Sequence, residues 1–269
     1  MGQFQLGPST KLVSLAIRVK DRDKMIAFYR DIIGFSLKSE ENALAIMGTD
    51  NHPEERLLLE ESPRADDHFR KTKKLQHIIL QVPSLPELAA IAARLATQES
   101  EYQVHVTEAT VTVNLKDPEE NQWVISYQKE AADQLVDAAD LVCDQTDTSI
   151  RLTEAIQFVG VALNVLDQNV QQTFLADQLG FELNQQTELH SPTLSFVVTA
   201  NQVSDPTVAL TSDEVIGLEF IKFVLDQNDL LALEKNLLDS DYDFFIDKKK
   251  SVLTVYDSVG VEWWFERTN

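Results

Sequence analysis

Hydrophobic residues recur along the chain in two alternating spacings, one typical of strands and one typical of helices. Near the start, apolar residues occupy every second position at Leu15, Ile17 and Val19, which indicates a half-buried strand. The apolar positions that follow keep the i, i+3, i+4, i+7 spacing of a core-facing helix: Met25, Phe28, Tyr29, Ile32 and Ile33. Asp21 lies between the two patterns, where a short carboxylate caps a helix. The pattern therefore predicts a strand followed by a helix.

This strand–helix pattern occurs a second time in the other half of the chain. Residues 14–37 align with residues 160–183 without a gap, at a constant offset of 146 (160 − 14). Asp167 repeats the predicted cap, and Gly34 and Gly180 both fall where a helix ends and a positive φ is favoured. A repeat of this length predicts two copies of one structural unit.

Each half contains a further strand–helix pattern, at residues 75–95 and 217–237. Three short strand-like runs follow each of the four helices: 35–39, 43–47, 56–60, 103–106, 110–115, 122–127, 181–187, 193–199, 206–210, 242–246, 251–256 and 261–266. The sequence thus predicts four βαβββ units arranged as two modules, residues 1–130 and 155–269. The acidic, alanine-rich residues 131–154 are interpreted as a linker.

Charge and composition narrow the function classes. The 269 residues include 44 acidic and 23 basic ones, for a net charge of −21, which disfavours nucleic-acid and anionic-membrane partners. A single cysteine, Cys143, excludes an intramolecular disulfide framework and a multi-cysteine zinc site. The N-terminus has no apolar signal region, and no apolar run is long enough to span a bilayer. We therefore expect a cytoplasmic protein, and the sequence leaves a homo-oligomer open.

Four short motifs resemble the vicinal oxygen chelate superfamily, which includes glyoxalase I, extradiol dioxygenases and bleomycin-resistance proteins. The motifs are the V-x-D step at 19–21, F-Y-x-D-x-x-G-F at 28–35, H-x-x-x-x-V at 77–82 and D-P-x-x-N at 117–121. The resemblance implies an α+β fold of two modules. Each module pairs two βαβββ units in an incomplete barrel, whose concave face holds a metal or another ligand.

A narrower resemblance is to the CppA-type proteins of Gram-positive bacteria, which carry the label of a complement-degrading proteinase. It rests on LEESP at 59–63, on the C-terminal strand VEWWFE at 261–266, and on a basic stretch that contains Arg70, Lys71, Lys73 and Lys74. The chain has no H-E-x-x-H, G-x-S-x-G or D-[ST]-G motif. The proteinase label is therefore kept as an alternative that no sequence motif supports.

The superfamily resemblance also implies where a divalent metal would bind, through side chains on the first, fifth and eighth strands of a module. In the first module these positions carry Ser14, His77 and Val124. In the second they carry Gly160, Glu219 and either Trp264 or, with a shortened turn, Glu262. Glycine and valine provide no ligand atom, and a serine hydroxyl is a poor ligand for Fe, Mn, Zn or Ni.

The leading interpretation is a superfamily protein with a degenerate metal site that binds a small molecule or a protein partner in the barrel concavity. Ser14, Val124, Gly160 and Trp264 are candidate cavity residues, and no cofactor is expected. The alternative is a metal-dependent lyase or extradiol dioxygenase with its ion on His77, Glu219 and Glu262. Each of these features also has an interpretation in which it binds no ligand. His77 would then be a hydrogen-bonded residue of the barrel wall, Glu219 would lie at an exposed end of its strand, and the basic stretch would be a solvated surface.

Overall fold

The computed structural model describes residues 4–50, 52–66, 72–130, 137, 141–142, 146–184, 188–209 and 215–268. The first βαβββ unit consists of β1 (Lys11–Val19), α1 (Arg22–Phe28), β2 (Ser36–Glu41), β3 (Leu44–Gly48) and β4 (Glu55–Glu61). The second consists of β5 (Leu75–Gln81), α2 (Leu85–Thr97), β6 (Tyr102–Val106), β7 (Thr110–Lys116) and β8 (Gln122–Gln128).

The second half of the chain repeats this order with shorter strands. The third unit consists of β9 (Gln157–Val165), α3 (Gln168–Thr173), β10 (Glu182–Leu183), β11 (Leu189–His190) and β12 (Val197–Gln202). The fourth consists of β13 (Gly217–Leu225), α4 (Gln227–Asp239), β14 (Phe245–Ile246), β15 (Val252–Tyr256) and β16 (Glu262–Arg267). The α+β class, with two similar modules of paired βαβββ units and open sheets, is confirmed.

One predicted strand is wrong. Residues 206–210 were expected to form the last strand of the third unit, but Pro206–Ala209 is a 3-10 turn. The carboxylate of Asp205 accepts hydrogen bonds from the backbone N–H of Thr207 at 3.0 Å and from its hydroxyl at 2.7 Å. Proline has no N–H for a strand ladder and fits the first turn of a helix, so the Asp-Pro pair starts a turn here.

The chain divides into two compact units that do not follow the sequence order. The first compact unit combines residues 1–20, 62–76 and 160–269, and its strands lie in the orders β14-β15-β16-β13-β1 and β10-β11-β12-β9. The second compact unit combines residues 21–61 and 77–159, with the orders β4-β3-β2 and β5-β8-β7-β6. The boundaries predicted from the repeat, 1–130 and 155–269, stay a prediction about sequence modules.

The sequence repeat does not predict which strand β1 pairs with. In the first compact unit it pairs antiparallel with β13 from the fourth βαβββ unit, with Ser14 opposite Lys222 and Leu15 opposite Ile221. Leu15 and Ile221 are both fully buried. The N-terminal strand is therefore part of the core that the C-terminal units build.

The ends of the first helix are as predicted, but its last turn is not α-helical. The backbone N–H of Lys24 donates to the Asp21 carboxylate at 3.0 Å, which makes Asp21 the N-cap. The helix then widens into a π-helical turn over Tyr29–Ile33 and ends at Gly34, whose φ is 102°. A π-turn shifts the side chains that follow it around the helix axis, and the ring of Tyr29 is fully buried here.

Arg94 on α2 anchors the C-terminal part of the predicted linker. Its guanidinium donates to the backbone carbonyls of Ile32, Ile33, Thr148 and Ile150 at 2.6–3.1 Å, and burial lowers its pKa to about 10. Most of the linker, including Cys143, lies outside the described residues. Among the helices that the structure describes, none is long and apolar enough to cross a lipid bilayer.

Candidate functional site

The sheet β5-β8-β7-β6 of the second compact unit has one buried face and one half-exposed face. Alternate residues of β8, among them Trp123 and Ile125, are fully buried, and α2 packs against this strand. The residues between them point to the opposite face, because strand side chains alternate. That face borders an open groove of about 1050 Å³, and its lining includes His77, Tyr102, Gln103, Asn114, Gln122 and Val124.

Strand register brings two of the predicted positions to this groove. His77 pairs with Gln122 between β5 and β8, and Val124 lies directly opposite Asn114 between β8 and β7. Burial lowers the pKa of His77, so that its imidazole is neutral at pH 7 and offers one donor and one acceptor nitrogen. His77 and Val124 therefore share a groove, but only His77 brings a polar atom to it.

Asn114 is a groove residue that the sequence did not single out. Its side-chain oxygen Oδ1 is buried and has no hydrogen-bond partner among the residues that the structure describes. A buried acceptor left unsatisfied costs about 1–3 kcal/mol, which is the kind of cost that a bound donor removes. Its position opposite Val124 becomes known only once the register of β7 and β8 is known.

The D-P-x-x-N turn at one end of the groove has a structural role. Both carboxylate oxygens of Asp117 are occupied: Oδ1 accepts from the backbone N–H groups of Glu119 and Asn121 at 2.9 Å, and Oδ2 accepts from the Tyr29 hydroxyl at 2.6 Å. Burial, followed by the charge of Asp117, raises the pKa of Tyr29. Trp123 Nε1 donates to the same hydroxyl at 3.2 Å. This carboxylate fixes a turn and a helix, and its lone pairs are already used.

The two other carboxylates considered as metal ligands lie in the first compact unit, on β13 and β16. Glu219 Oε1 accepts from Arg18 Nη2 at 2.5 Å, so its charge is balanced by a guanidinium from β1. The exposed strand end expected for Glu219 is wrong, because only 13% of its side chain is accessible. The long-range pairing of β1 with β13 supplies the partner, and the local sequence contains no sign of it.

The remaining positions also lie in the first compact unit. Gly160 on β9 pairs with Val197 and has no side chain to offer. Ser14 is fully buried, and its hydroxyl has no hydrogen-bond partner within the described ranges. Glu262 and Trp264 lie two residues apart on β16, opposite Phe220 and Lys222 of β13, and thus share one face of the sheet.

The donor set does not fit the three-ligand divalent centre that the superfamily fold implies. In the second compact unit His77 faces an amide and a valine, and in the first Glu219 is engaged by Arg18. Within the part of the chain that the structure describes, no group of three or more His, Cys, Asp or Glu side chains is arranged to hold a metal ion.

The basic stretch was expected to be a solvated surface, but Lys74, which the structure describes, is buried. Lys74 is only 1% exposed, and its Nζ donates to the backbone carbonyl of Val259 at 2.6 Å within the first compact unit. Arg70, Lys71 and the nearby His68 lie outside the described residues. The burial of Lys74 was not predicted, because nothing in the local sequence separates it from Lys73.

Comparisons with known proteins point to one family and one fold. The family model described as CppA N-terminal matches residues 12–137, and the model described as CppA C-terminal matches residues 154–265. A search of the curated proteins gave no match.

Two solved structures resemble the chain over almost its whole length. The crystal structure of the cppA protein from Streptococcus pneumoniae TIGR4 is 17% identical, with a TM-score of 0.65, and the match covers 96% of this chain and 100% of that one. A putative dioxygenase from Bacillus subtilis subsp. subtilis str. 168 is 11% identical, with a TM-score of 0.64 and coverages of 99% and 86%.

A plant enzyme shares the same fold. The crystal structure of glyoxalase I from Zea mays is 12% identical, with a TM-score of 0.57 and coverages of 96% and 92%. At these identities the likeness to the solved structures shows the fold alone: the chain has a glyoxalase/dioxygenase-superfamily fold.

Proposed function

The chain belongs to the family that the CppA N-terminal and C-terminal models describe. From that premise we propose that it binds a small polar molecule in the groove of its second compact unit, and that no metal ion takes part in binding. His77 and Asn114 are the polar contacts of this proposal, and Val124 forms the floor between them. The observation that carries the proposal is the Asn114 oxygen, which has no hydrogen-bond partner among the described residues and lies in a groove directly opposite Val124, a residue without a ligand atom.

The groove also limits the chemistry of its ligand. A neutral imidazole and an amide oxygen recognise a molecule with adjacent hydrogen-bond donors, such as a diol or a primary amide. The lining lysine, Lys116, bonds to Glu120 at 2.7 Å, and Glu101 and Asp117 add two further carboxylates to the lining, so these residues favour a neutral ligand over an anion. Hydrogen bonds, and not a strong field, are therefore expected to select the ligand.

Metal content distinguishes the proposal from the metal-dependent lyase or dioxygenase. The protein and its His77→Ala variant are each incubated with Fe(II), Mn(II), Zn(II) and Ni(II), desalted, and analysed for metal. We expect neither protein to retain a stoichiometric ion. One ion per wild-type chain that His77→Ala loses would overturn the proposal and support the enzyme.

Binding itself is measured by ligand-observed NMR with a panel of small diols and primary amides. We expect hits that disappear in Val124→Trp, because the indole fills the groove floor opposite Asn114. Thr110→Trp is the matched control, since it adds the same ring on β7 away from the groove lining. Hits that survive Val124→Trp, or an absence of hits with the wild-type protein, would contradict the proposal.

A further inference from the structure

Strand β6 is the edge of the sheet β5-β8-β7-β6 and is paired on one side. There it runs antiparallel to β7, with Val104 opposite Val113 and Val106 opposite Val111. Among the residues that the structure describes, no further strand follows β6 in the sheet order. An edge of this kind presents a row of backbone N–H and C=O groups to which another strand can bind.

The register shows which backbone groups form this row. The N–H of Thr107, at the end of β6, donates to the carbonyl of Thr110 at 2.8 Å, so the backbone of residue 107 faces β7. In an antiparallel strand the backbone groups of successive residues point alternately to the two sides. The N–H and C=O groups of Tyr102, Val104 and Val106 therefore point away from β7, toward the open edge.

The other strands at the ends of the described sheets have features that protect an edge, and β6 lacks these features. Strands β10 and β14 are only two residues long. Strand β2 has a register shift beside Lys38 and carries Glu40 and Glu41. Short strands, bulges and charges are the means by which proteins prevent pairing at an edge. Strand β6 has five residues, YQVHV, with no lysine, carboxylate or proline, and its register with β7 is regular.

The side chains of β6 indicate what an added strand should carry. Tyr102, Val104 and Val106 are half-buried, although Val111 and Val113 beside them on β7 are fully buried. These side chains lie on one face of the sheet, since strand side chains alternate. A strand at the open edge would cover them best with apolar side chains at every second position, because this removes apolar surface from water.

The ends of β6 are acidic. Glu99 and Glu101 precede the strand, Glu108 follows it, and all three are exposed. Lys116 and Lys129 belong to the same part of the chain, and each donates a hydrogen bond within it, to Glu120 and to the carbonyl of Thr107. Basic residues at both ends of a bound strand would complement these carboxylates, whereas a second copy of this chain would bring the same carboxylates and a net charge of −21.

We propose that β6 binds an extended segment of a partner protein as an additional antiparallel strand, and that this segment has apolar residues at every second position and a basic residue at each end. Partner residues opposite Tyr102, Val104 and Val106 would each exchange two backbone hydrogen bonds with them. Tyr102 also borders the groove, but the proposed contact is with the backbone of the sheet edge. The proposal does not rest on the small molecule proposed above.

A synthetic peptide, acetyl-Lys-Val-Thr-Val-Thr-Val-Lys-amide, tests the proposal on the full chain, with binding measured by fluorescence anisotropy of the labelled peptide. Two methylated forms are compared with it. An N-methyl group on the central valine removes the N–H that would face Val104, whereas one on the neighbouring threonine replaces an N–H that would point to solvent. We expect the first form to bind about tenfold or more weakly than the parent peptide, and the second to bind as the parent does.

Two pairs of variants test the protein side of the contact. Val104→Pro removes an N–H that β7 does not use, which an edge strand tolerates, and it should weaken peptide binding about tenfold or more. Val104→Ile keeps that N–H and is the matched control, with no loss expected. Glu108→Gln should weaken binding about threefold, whereas Asp239→Asn, on an exposed part of α4, removes the same charge elsewhere and should have no effect.

Val124→Trp separates this proposal from the small-molecule function. It fills the floor of the groove and should leave peptide binding unchanged, so a loss of peptide binding would mean that the peptide lies in the groove. Analytical ultracentrifugation tests the other occupant, because a wild-type dimer that Val104→Pro dissociates would assign the edge to a second copy of the chain. Either result, equal binding of the two methylated peptides, or no binding of the parent peptide would overturn the proposal.

Discussion

Two buried aspartates at equivalent turns have the same role in the two halves of the chain. Asp257 accepts from the backbone N–H groups of Val259 and Val261 at 3.0 and 2.9 Å, as Asp117 accepts from those of its own turn. Its second oxygen accepts from Gln171 and from the indole N–H of Trp263 at 2.9 and 3.3 Å. Burial raises the pKa of Asp257 despite these hydrogen bonds. The motif that indicated the superfamily therefore records how the turn is held and not how a ligand is bound.

At the level of single residues, His77 gives a pH-dependent prediction. Burial lowers its pKa below the ordinary value of 6.5, so the unfolded chain binds the proton more readily than the folded protein does. The free energy of unfolding should therefore rise with pH up to about 6.5, and this contribution should be constant above that value. The contribution is lost as the pH falls from 6.5 toward the lowered pKa of the folded state.

The measurement is urea denaturation of wild-type protein and His77→Gln at several pH values between 5 and 8, together with NMR titration of the imidazole. The difference in unfolding free energy between the two proteins should grow up to about pH 6.5 and then level off. An NMR midpoint above 6.5, or a difference that does not change with pH, would show that His77 is not held in its neutral form by burial.

At the level of elements, hydrogen bonds connect the N-terminus of α2 to the end of the predicted linker. Ser84 Oγ accepts from the backbone N–H of Glu87 at 3.4 Å, which caps the helix, and the same hydroxyl donates to the Glu87 carboxylate at 3.2 Å. The same carboxylate accepts from the hydroxyl and the backbone N–H of Thr153 at 3.1 and 3.3 Å. One glutamate thus stabilises the start of a helix and positions the chain that leads into β9.

Removing the serine cap should weaken the helix and leave the groove in place. Ser84→Ala is expected to lower the free energy of unfolding by about 1 kcal/mol, the usual cost of a lost N-cap, as measured by urea denaturation. Ser84→Thr keeps both the capping oxygen and the hydroxyl that donates to Glu87, and it serves as the matched control, with little loss expected. If the two variants were equally destabilised, the capping oxygen would not be the source of the stability.

At the level of the whole molecule, the N-terminal strand belongs to the core of the first compact unit. Leu15→Ala is expected to cost about 2–5 kcal/mol of unfolding free energy, because the side chain is fully buried opposite Ile221. Hydrogen exchange should be accelerated at the β13 amides, including those of Ile221 and Phe223, since β1 pairs directly with that strand.

Lys11→Ala, at the exposed start of the same strand, is the matched control and should change the unfolding free energy by less than about 0.5 kcal/mol. Unchanged exchange in β13 of Leu15→Ala, despite a large loss of stability, would show that β1 does not stabilise the C-terminal strands.

The sequence by itself determined the elements of this protein and the class of its fold. Hydrophobic spacing is a local property, so the strand–helix order, the Asp21 cap and the turn at Gly34 could be predicted without knowing any long-range contact. The prediction of a strand at 206–210 was wrong for an equally local reason. It considered the apolar residues of this run and did not take into account that Asp205 and Pro206 favour a turn.

Only the tertiary structure decided which side chains meet. The partner of Glu219 is Arg18 because β1 pairs with β13. The unsatisfied Asn114 lies opposite Val124 because β7 pairs with β8. Glu262 lies between Phe220 and Tyr256 because of the register of β13, β16 and β15. Register between distant strands depends on how whole sheets bury their apolar faces, and a single sequence records only one strand at a time. The residues of the proposed groove could therefore be listed from the sequence only in part, and their arrangement could not.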